Sequence, residues 1–306
     1  MVKSLGQVSD TDIRTLRIFR TVVECGGFAA SEVELNISRA AISIAMSDLE
    51  TRLGFKLAQR GRAGFALTIE GQQVYDYTLQ LLSSIENFRT QVNALHANLK
   101  GELTIGITDN LVSMPHMLVT QALAKLKEKG PDVRINIRMI PPNEVERGIL
   151  DGKLHVGIIP ALKILDGLLY RPLYDERSNL YCSAQHPFFD IEFGDDWQTL
   201  ISTHDAVVPA YAQAAETKIR QQQLKGSASA TDREGVAFLI LTGKYIGYLP
   251  DHYAKRWVDA NEMKALLPDK MSYQTKFSAI TRSTGVSNLV LDTFLQELDA
   301  LCSGRK

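Results

Sequence analysis

Apolar residues return at three- and four-residue steps through much of the first hundred positions, and the interruptions define the elements. Ile13, Leu16, Phe19, Val22 and Val23 form one helical face, opened by Asp12 as a cap and ended by Gly26-Gly27. A second helix, over residues 29–35, is too short to be stable alone. Asn36 breaks the pattern, and Ser38 supplies an N-cap oxygen for a third helix. Its core face is Ala41, Ile42, Ala45, Met46, Leu49 and Leu53, and Gly54 stands where a C-cap glycine belongs. The opposite face carries Arg39, Ser43, Ser47, Glu50 and Thr51, small or polar groups able to meet base edges and phosphates. Phe55, Leu57, Phe65 and Leu67 then alternate around the basic tip Arg60-Gly61-Arg62-Ala63-Gly64. Two short helices crossing at a tight turn, followed by a basic hairpin, spell a winged helix-turn-helix. The wing reaches a phosphate strand or the minor groove.

From Gly71 to about position 98 the pattern changes to Val74, Thr78, Leu81, Ile85, Phe88, Val92, Leu95 and Leu99. These steps alternate four and three, the heptad seam of a coiled coil, with Thr78 its polar position. The seam predicts a dimerisation helix that pairs two DNA-reading heads on a palindromic site.

Beyond Gly101 the pattern is strand–helix–strand–helix–strand: strands at 103–107, 133–140 and 155–159, helices at 113–129 and 144–151. That order predicts a parallel sheet covered on both faces. Its strands end at Thr108, Pro141 and Pro160, and ligands of open α/β sheets bind at that carboxyl edge. A second α/β unit has strands at 179–183, 206–209, 245–250 and 275–281, with helices at 232–241 and 287–301. Thr108-Asp109-Asn110 precede the helix expected at 113, whose free N–H groups favour a carboxylate. The acidic Asp109 beside them points to a ligand bearing both charges, such as an amino acid or an amine-bearing acid; as the alternative, Asp109 is simply a cap.

Composition narrows the class. An apolar content of 45% in 306 residues is ample for two or three packed units. The net charge of −1 excludes a uniformly basic, histone-like binder. Residues 1–70 hold nine Lys and Arg against eight Asp and Glu, so contact with DNA is a local patch with few phosphate contacts per subunit. Cys25, Cys182 and Cys302 lie far apart and show neither a disulfide frame nor metal spacing, which suits a reducing cytoplasm. No apolar run is long enough for a signal core or a membrane span, so a cytoplasmic location without membrane contact is expected.

The chain resembles the LysR-type transcriptional regulators of bacteria. The resemblance runs through Asp12-Ile13-Arg14-Thr15-Leu16-Arg17-Ile18-Phe19, Gly27-Phe28, Leu35-Asn36-Ile37-Ser38 and Ser43. It continues in Leu49-Glu50-x-x-Leu53-Gly54 and Leu67-Thr68-x-x-Gly71. Further on it is carried by Gly101-x-Leu103-x-Ile105-Gly106, Gly152-x-Leu154-x-Val156-Gly157-Ile158 and Thr242-Gly243-x-x-Ile246-Gly247-Tyr248-Leu249-Pro250. It implies an α/β chain in four parts. These are a winged helix-turn-helix head (1–70), a linker and dimerisation helix (71–100), and a periplasmic-binding-protein-like effector domain with lobes 101–170 plus 272–306 and 171–271. It implies double-stranded promoter DNA, a small-molecule effector and further copies of the chain as partners, as a dimer or a dimer of dimers, and no cofactor. DNA contacts carry over to Ser38, Arg39, Ala40, Ser43, Arg60 and Arg62, with Arg39 able to grip guanine O6/N7. Effector contacts in the second lobe carry over to His204, Val208, Tyr211 and Thr231. The chain departs from the family at Ile44-Ala45, where Arg-Gln is common, and at Asp48, near which basic residues are usual. Arg39 and the wing therefore have more to do. Arg52 and Lys56 read equally as solvated surface charges.

Two rival functions each fit part of this pattern. An enzyme with a winged DNA-binding head, as in biotin protein ligases, finds an echo in the loop Arg60-Gly61-Arg62-Ala63-Gly64. In those enzymes, however, the loop belongs to the catalytic domain, and this chain shows no G-x-S-x-G elbow, P-loop, dinucleotide fingerprint or H-E-x-x-H pair. His204-Asp205 looks like half of a catalytic pair, and equally like a surface histidine beside a cap. A pure solute-binding module leaves the helix-turn-helix unexplained. No catalytic residues and no metal ligands are expected.

Overall fold

The computed structural model describes residues 6–61, 64–94, 99–116, 118–211, 213–284 and 288–303. The chain divides into two compact units, Met1–Val92 and Asn93–Lys306.

The first unit holds α1 (Asp10–Glu24), α2 (Phe28–Leu35), α3 (Arg39–Leu53), the hairpin β1 (Ala58–Gly61) and β2 (Gly64–Leu67), and most of α4 (Ile69–Ala94). Ser9, not Asp12, caps α1; Asp12 sits at the third helical position and returns the bond to the Ser9 backbone, completing a capping box. Asn36 takes the left-handed conformation at φ 50°, which turns the chain sharply between α2 and α3. Ser38 caps α3 through Ala41 N at 3.3 Å, and Gly54 closes it at φ 86°. Phe19, Val22, Ile42, Met46, Leu49 and Leu57 make the core, to which Tyr75 and Leu79 of α4 are added. Gly71 lets α4 start against the hairpin, since a Cβ there would lie 1.9 Å from the Leu57 carbonyl oxygen.

Two expectations on α3 need correction. Ala41 is exposed rather than in the core, and Glu50 is buried rather than on the outward face. Glu50 accepts from Leu57 N at 3.0 Å and pairs with Lys56 at 2.7 Å, tying the end of α3 to the hairpin. Arg52 is exposed but not free: it pairs with Asp12 and donates to the Gln7 carbonyl at 2.7 Å.

The second unit is built on one sheet in the order β4-β3-β5-β11-β6-β9-β7-β8, with β10 added to β6. In chain order its strands are β3 (Gly101–Ile107), β4 (Val133–Met139), β5 (Val156–Pro160), β6 (Leu168–Ser183), β7 (Asp205–Pro209), β8 (Lys225–Ala230), β9 (Ile246–Pro250), β10 (Met263–Leu266) and β11 (Ser272–Arg282). The helices are α5 (Leu118–Lys129), α6 (Pro142–Leu150), α7 (Trp197–Thr203), α8 (Ala215–Gln221), α9 (Arg233–Leu241), α10 (Asp251–Asp259) and α11 (Leu289–Ser303). β3 runs parallel to β4 and β5, and β7 parallel to β8 and β9. These two parallel halves are joined by β6 and β11, long antiparallel partners from Ser272↔Asn179 to Arg282↔Leu168. At one end β11 pairs with β5, and at the other β6 pairs with β9. The crossings expected near Tyr170 and Met271 are thus one continuous ribbon of sheet.

The helix expected from 113 to 129 does not form as one piece. A 3₁₀ turn, Leu111–Ser113, comes first, and α5 begins only at Leu118. Pro115 is the physical reason: it drives Met114 to an extended ψ of 133° and breaks the helix. Asn110 stands in the left-handed region at φ 63°, so the segment 108–110 does not lead into a long helix N-terminus.

Candidate nucleic-acid interface and ligand cleft

The outward face of α3 is Arg39, Ala40, Ala41, Ile44, Ser47, Asp48 and Thr51, with Ile44 63% exposed. Ser43 is half-buried beside it, and the Ser38 hydroxyl is occupied as the cap. The backbone N–H of Arg39 donates to Glu32 Oε1 at 2.5 Å, which fastens α2 to the start of α3. Arg60 lies on β1 opposite Phe65, its side chain outside the described residues, as is the whole of Arg62. This face offers hydroxyls, one guanidinium and an apolar side chain. An isoleucine meets a thymine methyl rather than a phosphate.

Of the expected pairing seam on α4, Leu81, Phe88 and Val92 are exposed, Ile85 is half-buried, and Leu95 lies outside the described residues. Val74 packs partly on the head core, and Thr78 is buried with its hydroxyl on the Val74 carbonyl at 2.7 Å. The helix therefore has two apolar stripes, and Tyr75 with Leu79, which the seam pattern leaves out, are the ones the head uses.

Between the two halves of the second unit lies a cleft of roughly 500 Å³, within the range of small-molecule sites. Thr108, Asp109, Asn110, Pro141 and Pro160 line it from the first half. Tyr211 and Thr231 line it from the second. Val208 and His204 do not. Val208 packs on Gly226, and His204 turns inward, its ring 4.0 Å from that of Phe188 and its Nδ1 3.1 Å from the Leu200 carbonyl. Asp205 pairs with Lys225 at 2.9 Å, so His204-Asp205 is no catalytic half-pair.

The cleft also contains residues that the sequence reading missed. Asp232, Arg233 and Glu234 line it at the start of α9, and Asp232 caps that helix through Gly235 N at 2.7 Å. Asp109 Oδ2 accepts from Arg233 N at 2.6 Å and from Asn110 Nδ2 at 2.8 Å, bridging the two halves. The Arg233 guanidinium donates to Glu176 Oε1 at 2.6 Å and to the Asp109 carbonyl at 3.2 Å. His252 Nε2 lies 3.0 Å from Glu176 Oε2, and its Nδ1 lies 2.8 Å from Ser113 Oγ on the 3₁₀ turn. Burial works against the Arg233 charge, but Glu176, Tyr211 and Asp109 outweigh it and raise its pKa further. Burial also raises the Tyr211 phenol. The helix start at Asp232 hinted at Arg233, but Glu176 sits mid-strand and carries no local signal.

Chemically, three carboxylates face this cleft against one guanidinium that Glu176 already engages, a balance that favours a cationic group. The N-termini of α6 and α9 both reach the lining, at Pro142 and Arg233, and favour an anionic group beside it. Thr108 Oγ1 is buried and has no partner among the described residues. No group of three or more His, Cys, Asp or Glu among the described residues could hold a metal ion. Nor is any described helix long and apolar enough to cross a membrane.

Comparison with known proteins places both units. Residues 13–72 match the bacterial regulatory helix-turn-helix proteins of the lysR family, and residues 96–303 match the LysR substrate binding domain. The HTH-type transcriptional activator BauR of Pseudomonas aeruginosa is 56% identical over 293 residues, 96% of each chain. Among solved structures, CbnR, a LysR family transcriptional regulator, superposes with a TM-score of 0.66 at 17% identity, over 95% of this chain and 99% of that one. Full-length CbnR complexed with its target DNA matches equally well, at 0.66 over 94% and 99%. A helix-turn-helix head, an α/β unit with a cleft between its halves, and family matches over both make this chain a member of the LysR family of bacterial transcriptional regulators.

Proposed function

We propose that this LysR-type regulator works in the cytoplasm as a dimer or tetramer, without enzymatic activity, and answers to a zwitterion: an amino acid or an amine-bearing acid. The division into head 1–70, linker 71–100 and lobes 101–170 plus 272–306 and 171–271 belongs to the same reading. Ser38, Arg39, Ala40, Ser43, Arg60 and Arg62 meet promoter DNA. The exposed stripe Leu81, Phe88 and Val92, with Ile85 and Leu95, pairs two linkers. The name of the 56% identical relative, a transcriptional activator, supports activation as the direction of control.

The observation that carries the effector reading is the buried, unpartnered Thr108 hydroxyl in a cleft rich in carboxylates. A bound carboxylate accepts from Thr108 Oγ1 and from the helix N-termini. Asp109, Asp232 and Glu234 receive the ammonium. Plain carboxylates without an amine are disfavoured by those same acids.

A fluorescence-anisotropy titration against the upstream intergenic DNA of its own gene, at two salt concentrations, tests the DNA half. Saturable binding that survives excess random duplex is expected, and it weakens in Arg39→Ala. Binding that vanishes equally for any duplex as salt rises contradicts sequence reading by α3. For the effector half, a thermal-shift screen compares amino acids with matched acids and amines lacking one charge. Only the zwitterions should stabilise the chain, with affinity falling about tenfold in Thr108→Val for one lost hydrogen bond. Stabilisation by the simple acids alone would overturn the charge argument.

A further inference from the structure

We infer that Ile44 is a sequence-reading residue: in each half-site it packs on the 5-methyl group of a thymine in the major groove, about two base pairs from the base that Arg39 grips. The inference rests on the reading that α3 meets promoter DNA, and adds the base that the middle of this helix selects. Ile44 is 63% exposed within a helix of 15 residues. It stands two positions from both Ile42 and Met46, which are fully buried in the head core, and so lies about 200° round the helix from each. The core thereby fixes the rotation that points Ile44 outward. The start of the helix is fixed as well, by the Ser38 cap and by Arg39 N donating to Glu32 Oε1 of α2.

A single exposed isoleucine is ordinary on a protein surface. Its neighbours make this one different. Ala40 and Ala41, four and three positions before it, are exposed on the same side. They add two methyl groups without bulk, so the three side chains form one apolar strip and the backbone can come close to base edges. Side chains on a helix lean toward its N-terminus, so Ile44 leans over these alanines, toward the end whose residues touch base edges in a helix-turn-helix. A β-branched side chain keeps one rotamer in a helix about nine times in ten. Its methyl groups are therefore in place before DNA arrives, and little side-chain entropy is lost on binding.

Chemistry then selects the base. Ile44 has neither donor nor acceptor, so against a phosphate or a polar base edge it strips water and returns no hydrogen bond. The major groove presents one apolar group, the thymine methyl. One turn further on, the exposed Asp48 repels phosphates, so the stripe through both residues faces base edges rather than a strand backbone. A rise of about 1.5 Å per residue sets Ile44 about 7.5 Å from Arg39 along the axis, close to two steps of about 3.4 Å in the duplex.

A deoxyuridine scan with the full-length chain tests this. Footprinting locates the bound stretch in the upstream intergenic DNA. Synthetic duplexes then carry deoxyuridine for one thymine at a time, which removes the methyl group and leaves the pairing with adenine unchanged. Anisotropy titrations should find one thymine per half-site at which the exchange weakens binding about fourfold, the worth of one buried methyl group. Changing both half-sites should weaken it about fifteenfold, because well-separated positions add. In Ile44→Ala the loss at those positions should disappear, and in Ile44→Val it should persist. Ile44→Arg should abolish it too, while a new phosphate contact steepens the salt dependence by a slope of about one. Position 44 is exposed, so these variants keep the core of the head intact. A scan without a sensitive thymine overturns the inference, as does a sensitive thymine whose loss survives in Ile44→Ala; in both cases DNA binding itself stands. A chain that binds no duplex saturably overturns the reading of α3 along with it.

Discussion

At the scale of single residues, the structure turns on a few buried polar groups whose partners are distant in sequence. Glu50 is one. Burial alone would raise its pKa, but the Lys56 ammonium and the N–H groups of Leu57 and Ala58 outweigh it and hold the carboxyl below its usual range. A lowered carboxylate adds stability above its unfolded pKa and loses it as pH falls through the folded value. Glu50→Ala should therefore destabilise the head by about 1–3 kcal/mol at neutral pH, leaving Leu57 N without its acceptor, as urea denaturation would register. Arg233→Ala should cost about 3 kcal/mol in the second unit, because it leaves the buried Glu176 carboxylate with His252 but without its guanidinium. His186 has the same sign of pH dependence. Burial first, then His204 and Lys244, lower its pKa from 6.5 to about 4. The unfolded chain then binds a proton that the folded chain refuses, so stability is complete above pH 6.5 and declines toward pH 4. The full difference is roughly 3 kcal/mol. His186→Asn, which keeps an acceptor for Phe188 N, should flatten that part of the pH–stability curve relative to wild type.

At the scale of elements, what could be read from sequence was what local chemistry decides. Ser38, Asn36 and Gly54 bound α3 because capping and a left-handed turn need nothing beyond the neighbouring backbone. Glu50 was misplaced because its acceptor role depends on a hairpin seven residues further on. The break at Pro115 was missed because apolar residues continue through it at helical spacing, and the residue before a proline is pushed off that path. β8, Lys225–Ala230, has no large apolar residue and so gave no alternation to detect, while α7, α8 and β10 are too short for a period to accumulate. In the cleft, the strand ends Thr108, Pro141 and Pro160 were legible from the sheet edge. Arg233 and Glu176, 57 positions apart, were not. On α4 the heptad steps were visible, but the second stripe, Tyr75 and Leu79, was hidden beneath them. That second stripe makes a clean separation testable. Ile85→Asp should reduce the oligomer's mass in sedimentation equilibrium while the head keeps its melting behaviour. Leu79→Ala should leave the mass unchanged and destabilise the head by about 2–5 kcal/mol.

At the scale of the whole molecule, regulation requires that ligand in the cleft and DNA at the head bias one common equilibrium. A ligand that binds both states equally shifts nothing, however tightly it binds. The groups positioned to register a ligand are those that already join the two halves: Asp109 on Arg233 N, and Ser113 on His252. If their arrangement is the two-state element, the factor by which ligand changes operator affinity must equal the factor by which operator changes ligand affinity. Anisotropy titrations of operator with and without ligand, beside calorimetric titrations of ligand with and without operator, measure the two factors separately. They should agree. His252→Leu removes the contacts to Ser113 and to Glu176 and replaces no residue that lines the cleft, so ligand should still bind while both factors fall together toward one. Unequal factors, or a His252→Leu variant that retains the full coupling, would place the switch elsewhere in the chain.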